Sequence, residues 1–255
     1  MTRTQRRTQL TPGYILHHLP YRDTSRILEV LTREHGRLTL FARAVRGPKS
    51  RLAAVLQPFQ PLLLSFSGRG EASQLTGAEL AGGGAQAALP GSHLMACFYL
   101  NELLMKLTTR HDPHPTLFDT YDRVLGEFKG GAPLEPGLRV FEKRLLAELG
   151  YGLDLTLEPR TGRRISSGAY YLFRPGEGLI AAAPEAPGAL AGSSLESLAR
   201  EQLASAAALA DARRLLKAAL DHCLEGRELA TRAVAREVLE LRPGSRHRAS
   251  LTEHT

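Results

Sequence analysis

From Gly13 to about Leu80 the chain is a series of short apolar runs parted by turn residues, a rhythm that admits strands but no long helix. The runs are GYILHHL, RILEVLT, RLTLFARA, PFQPLLLSFSG and EASQLTGAEL, with PYRDTS, REHG and a Gly-Pro segment between them. Five strands in so short a span predict a small barrel of the OB type, whose open face commonly holds single-stranded nucleic acid.

The pattern changes after AGGGAQAALPG, residues 81–91, a Gly- and Ala-rich stretch broken by Pro90 that reads as a linker. SHLMACFYLNELLMKL is apolar on nearly all faces and predicts a central helix with Ser92 as N-cap. TLFDTYDRVLGEF predicts a second helix and PGLRVFEKRLLAELGYG a third, with Leu138, Phe141, Leu145 and Leu149 as its stripe and Gly150 as its stop. DARRLLKAALDHCLEG and ELATRAVAREVLEL predict two closing helices. The fold class is therefore α+β: an OB barrel over residues 1–80, then a mainly helical domain over 92–242 and a flexible tail, 243–255. An irregular insertion at about 156–190 contains a hairpin around RPGEG.

No run approaches the roughly 18 apolar residues that would span a bilayer, and the basic start MTRTQRRTQL lacks the apolar stretch of a secretory signal. Cys97 and Cys223 lie in apolar helical patterns and read as buried thiols, so a cytoplasmic protein is expected.

Charge separates the two parts. Residues 1–80 hold 12 Lys/Arg against 5 Asp/Glu, whereas 81–255 hold 21 of each, so the whole net charge of +7 sits in the first third. That asymmetry points to a polyanion-binding module joined to a neutral one.

The charge is densest in LTREHGRLTLFARAVRGPKSR, where Arg33 to Arg51 carry six cations against the single acid Glu34. In a strand, Leu38, Leu40 and Ala42 point to one side and Thr39, Phe41 and Arg43 to the other. The leucine side becomes the core, leaving Phe41 beside Arg43 on the outer face. An aromatic among cations is what a single-strand groove needs, since bases stack on the ring while cations track phosphates. The candidate DNA-binding residues are Arg22, Arg26, Arg37, Phe41, Arg43, Arg46, Lys49 and Arg51. No pattern here reads base edges, so little sequence preference is expected.

Catalytic motifs are missing: there is no GxxxxGK[ST], GxSxG or HExxH. No enzyme activity, metal or cofactor is expected. His17, His18 and Asp23 read as strand and turn residues, and His111 and His114 as an exposed loop pair. On the third helix, Arg139 and Lys143 lie one turn apart beside the Phe141/Leu145 stripe, a cationic rim suited to a short acidic peptide with an apolar end. An RNA-binding OB protein and a protein-interaction scaffold with a basic docking face remain alternatives at this point.

YRDTSRILEVLTREHGRL, ARAVRGPKSRL, LQPFQPLLLSFSGRGE, YLNELLMKL and LRVFEKRLLAELGYGLDL, in that order, resemble RecO, the bacterial recombination mediator family. The resemblance implies an OB-fold followed by a helical domain, with binding of single- and double-stranded DNA. It also implies ATP-independent annealing of complementary strands and help in loading recombinase onto DNA coated by single-strand binding protein, near the nucleoid. Implied partners are RecR and the acidic C-terminal tail of single-strand binding protein. That tail would dock in the segment holding Arg139, Phe141, Lys143, Leu145 and Tyr151, and the family's basic loop falls on Arg43, Arg46, Lys49 and Arg51. Many members carry a four-cysteine zinc site after the ELGYG helix. Residues 156–190 contain no cysteine here, so the chain resembles a zinc-free branch in which packing and hydrogen bonds must hold that segment.

Overall fold

The computed structural model describes residues 7–45, 50–68, 72–82 and 88–234. Most of the linker, the rest of the predicted ELATRAVAREVLEL helix from 235 on, the expected tail 243–255, Arg46 and Lys49 lie outside the described residues. Five strands close a barrel: β1 (Arg7–Tyr21), β2 (Ser25–Thr32), β3 (Gly36–Ala42), β4 (Leu62–Ser67) and β5 (Ala72–Leu80), in the order β1-β2-β3-β5-β4. This is the OB arrangement, antiparallel except where β3 meets β5. β1 pairs with β2 along one edge and β4 along the other, and register shifts between Thr8 and Thr11 and between Ile15 and His17 let it bend far enough to close the ring. A short helix the sequence reading did not anticipate, α1 (Arg51–Val55), plugs one end.

The alternation along β3 falls as its sequence dictates. Leu38, Leu40 and Ala42 are buried in the barrel core with Ile15, Leu28, Val30, Leu62 and Leu64. β1 is buried on both sides: Ile15 points into the barrel, while Tyr14 and Leu16 join the core of the helical domain.

That domain contains α2 (Gly91–Leu107), α3 (Pro115–Lys129), α4 (Leu134–Glu148), a sheet of β6 (Tyr170–Arg174), β7 (Gly178–Ala182) and β8 (Leu190–Ala191), then α5 (Gly192–Ala199) and α6 (Ala206–Leu224). Ser92 does not cap α2: Pro90 occupies that position, and Ser92 lies one residue inside the first turn with its hydroxyl 3.0 Å from His93 Nδ1. α4 stops at Gly150, whose φ of +80 is one that side-chain-bearing residues rarely adopt. α6 begins five residues before the predicted start because Ser205 Oγ accepts the Ala208 amide.

The hairpin around RPGEG forms as β6 and β7. Carboxylates stitch the loop before it: Glu158 accepts the Thr161 hydroxyl at 2.6 Å and the Ala181 amide at 3.1 Å, and Asp154 accepts the amides of Thr156 and Leu157. No helix among the described residues is long and apolar enough to cross a membrane.

The barrel and the helices meet at a polar seam. Glu29 Oε1 accepts from Thr39 at 2.6 Å and Arg110 at 2.5 Å, and its Oε2 accepts from Arg37 at 3.0 Å. Arg37 also donates to the Thr108 carbonyl at 2.7 Å, and its own carbonyl accepts the His111 amide. Asn101 reaches the Leu16 carbonyl at 2.8 Å, and the Tyr14 hydroxyl donates to Asp122. The approach is so close that a Cβ on Gly36 would sit 2.1 Å from the Asp112 carbonyl oxygen.

Candidate nucleic-acid interface and peptide pocket

Phe41 and Arg43 occupy the outer side of the barrel, as strand parity requires. Phe41 is half-buried and Arg43 exposed, and among the described residues Arg43 makes no ion pair. Beside them Tyr21 at the end of β1 sets its ring centroid 5.6 Å from that of Phe41, and the Arg22 guanidinium lies 5.3 Å from the Tyr21 centroid. Two aromatic rings and two arginines thus share one patch, an arrangement that can stack bases and hold phosphates. Sequence reasoning missed Tyr21, because no linear spacing joins the end of β1 to the middle of β3. Arg26 is half-buried and reaches the Leu56 carbonyl at 3.5 Å. Burial, then the charges of Arg26 and His17, hold the nearby His18 imidazole below its usual pKa.

The run of six cations does not stay together. Arg37 shares the outer side of β3 with Phe41 and Arg43, but its end of the strand is covered by the loop after α2. Its guanidinium is spent on Glu29 and Thr108. Arg33 pairs with Asp119 of α3 through two bonds, at 2.8 and 2.9 Å. Arg46 and Lys49 lie outside the described residues, as does the side chain of Arg51. The placement of Arg37 departs from the sequence expectation, because the sequence shows a side of the strand and not what covers it.

The helical domain holds a cavity of about 640 Å³ between α2, α4, α6 and the chain after α6. Of the five residues expected to bind a peptide, only Arg139 lines it. Phe141 and Leu145 are fully buried in the core. Lys143 faces the other way, donating to the Ala199 carbonyl at the end of α5 and to Glu201. Tyr151 is exposed past the end of α4. The i, i+3 spacing of Arg139 and Glu142 carries the cavity floor instead. There Arg139 lies 3.1 Å from Glu142 Oε1, which also accepts the Tyr99 hydroxyl at 2.7 Å.

Both floor residues are buried, yet Arg139 Nε and Glu142 Oε2 have no hydrogen-bond partner among the described residues. Burial pushes the Glu142 carboxyl above the usual range despite Arg139 and Tyr99. Arg213, Lys217 and Arg232 supply the cations of the rim, where Glu135 lies 4.0 Å from Arg213 and Asp221 pairs with both Lys217 and Arg232; Leu138, Met95 and Leu229 form an apolar wall. Arg213 and Lys217 stand four apart on α6, a spacing visible in the sequence but not linked there to α4.

Comparison with known proteins matches two family models to the chain. A profile described as "Recombination protein O N terminal" matches residues 7–83, and "Recombination protein O C terminal" matches residues 91–233. The chain is 42% identical over 234 residues to a DNA repair protein RecO of Azoarcus sp. (strain BH72), covering 90% of this chain and 96% of the relative. It is 40% identical over 240 residues to the protein of that name from Thiobacillus denitrificans, covering 91% and 93%. Against that of Chromobacterium violaceum it is 51% identical over 168 residues, covering 66% and 67%.

Proposed function

The chain belongs to the recombination protein O family, and from that premise we propose that it is a DNA repair and recombination mediator that holds DNA on its barrel. It binds single strands, and duplex through the phosphates alone, anneals complementary strands without ATP, and helps load recombinase onto DNA coated by single-strand binding protein. It acts without catalysing a covalent step. The observation that carries this reading is the outer patch of Tyr21, Phe41, Arg22 and Arg43, contiguous in sequence with Arg46, Lys49 and Arg51. Neither of the other two expected arginines extends the patch: Arg26 pairs with Ala42 on the inner side of the sheet and reaches the Leu56 carbonyl, and the donors of Arg37 face the seam.

Each phosphate contact on a single strand contributes about −0.7 to the log–log salt slope. Changing Arg22, Arg43, Arg46 and Lys49 together to Glu therefore flattens the slope by roughly 3 if all four touch phosphates. The measurement is fluorescence anisotropy of a labelled single strand at several salt concentrations, followed by an annealing assay without nucleotide. An unchanged slope removes DNA from this face. Equal competition by a matched RNA strand favours an RNA-binding protein instead, and no oligonucleotide binding at low salt favours a scaffold.

The helical-domain cavity is proposed as the dock for the acidic C-terminal tail of single-strand binding protein, with RecR as a second partner of the molecule. Support for the dock lies in the unpartnered Arg139 Nε on its floor, the cations of the rim and the apolar wall. Changing Arg139 to Met removes that floor charge at similar volume, and affinity for an acidic peptide falls more than about tenfold if the reading holds, a loss of roughly 1.4 kcal/mol.

A further inference from the structure

One wall of the peptide cavity is not part of the helical bundle. After α6 the chain turns at Glu225, whose φ is 49, and runs back as a strap that enters a helical turn at residues 230–234. Arg227, Glu228, Leu229, Thr231 and Arg232 all line the cavity from this strap. Leu229 is the strap's one residue in the core cluster, so apolar packing alone fixes little of it.

Polar contacts do the rest. Arg227 donates to the Leu224 carbonyl at 3.0 Å and to the Lys106 carbonyl at the end of α2, at 2.9 Å. Arg232 reaches Asp221 at 2.5 Å and passes over the Tyr99 ring. The new helical turn opens with amides that need acceptors, and the residue in front of it is Leu229, whose side chain cannot cap. Glu102, from the middle of α2, supplies the acceptor: its carboxylate takes the Ala230 amide at 2.8 Å, the Thr231 amide at 2.9 Å and the Thr231 hydroxyl at 2.6 Å. A carboxylate at a helix start is also favoured by the peptide dipoles. Burial pushes Glu102 up, but the bonds from Thr231 and Ala230 outweigh it and hold the carboxyl below its usual pKa. Glu102 itself does not line the cavity.

We propose that Glu102 is a positioning residue for the peptide site: by capping the strap from another helix it sets the cavity wall that carries Thr231 and Arg232. This inference rests on the cavity being the peptide dock. Linkage makes the effect reciprocal, so a peptide that needs the docked strap must also stabilise it.

The test uses the full chain and a labelled peptide of three aspartates, leucine and phenylalanine with a free terminal carboxylate. Glu102→Gln weakens peptide binding about tenfold, the scale of one lost helix cap. It also speeds hydrogen exchange at the Ala230 and Thr231 amides and leaves single-strand DNA affinity unchanged. In the native protein, added peptide slows exchange at the same two amides. Thr231→Val removes one of the three bonds from the other side and gives a smaller loss, and the double variant is less than additive. Faster exchange with native peptide affinity overturns the proposal, since the wall would then be dispensable; unchanged exchange overturns it because Glu102 would not hold the strap. If the native chain and Arg139→Met both fail to bind the peptide, the dock reading itself fails and takes this inference with it.

Discussion

Two buried glutamates, each beside arginines, have opposite surroundings. Glu29 at the seam uses both carboxylate oxygens, taking bonds from Thr39, Arg37 and Arg110. Glu142 on the cavity floor crowds Arg139 and Tyr99 onto Oε1, and its Oε2 has no partner among the described residues. Burial raises both pKa values at the outset. At Glu29 the bonds from Arg110 and Thr39 and the charges of Arg110 and Arg37 more than reverse it, so its carboxyl ends below the usual range. At Glu142 they do not, and its carboxyl ends above. The seam carboxylate has both oxygens satisfied within the chain, whereas the floor carboxylate, among the described residues, has one left over.

The comparison breaks most visibly if the seam is cut. Glu29→Ala leaves the half-buried Arg37 with Thr108 but no carboxylate, and removes the acceptor of Arg110 and Thr39. A loss of about 3–5 kcal/mol in urea unfolding is expected for one half of a buried charge network. A loss under about 1 kcal/mol means that water replaces Glu29 and that the seam is not a structural joint. Glu142→Gln keeps the shape and removes only an ionisation that burial already opposes, so its cost is expected below that of Glu29→Ala by at least about 2 kcal/mol.

Acid and base separate the two sites by sign. Glu29 has a folded pKa below its unfolded value of about 4.5, so its contribution is complete above that value and is lost as pH falls through the folded pKa. Glu142 has a folded pKa above it, so its contribution is present at low pH and is lost as pH rises through the folded pKa. Unfolding midpoints taken from about pH 2 to pH 8 test this. Glu29→Gln flattens the acid limb, and Glu142→Gln flattens the decline on the other side. The same limb responding to both variants would mean that the two carboxylates share one environment.

The strands were legible because a buried side alternates with period two, and Leu38, Leu40 and Ala42 obey it without exception. What the alternation cannot carry is the cover over the other side. Arg37 near the start of β3 and Arg43 just past its end share one parity, yet the first is covered by the loop after α2 and the second faces solvent. Helical periodicity misled in the same way on α4. Phe141 and Leu145 were expected in the peptide site but are core, and Arg139 belongs to a cavity whose other walls come from α2, α6 and the chain after α6. α5 was missed because GSSLESLA offers too few turns for a stripe to show. The helical turn at 230–234 falls inside the predicted ELATRAVAREVLEL helix, but its cap comes from Glu102, more than 125 positions away, which no local pattern encodes.

The weakest effect sharpens the comparison from outside. Arg33 and Asp119 also join the barrel to the helices, through two short bonds, but their side chains are 43% and 54% exposed. Water screens such a pair, and ordering two long side chains offsets most of its attraction. Arg33→Ala is therefore expected to cost less than about 1 kcal/mol, although its geometry is as good as that at Glu29. Raising ionic strength to about 1 M shrinks the screening length to about 3 Å, so the Arg33→Ala difference should vanish while the Glu29→Ala difference survives. If both differences collapse together, the seam is held by exposed charge and Glu29 is no more protected from solvent than Asp119. If only the first collapses, burial at Glu29 fixes how the barrel sits against the helical domain.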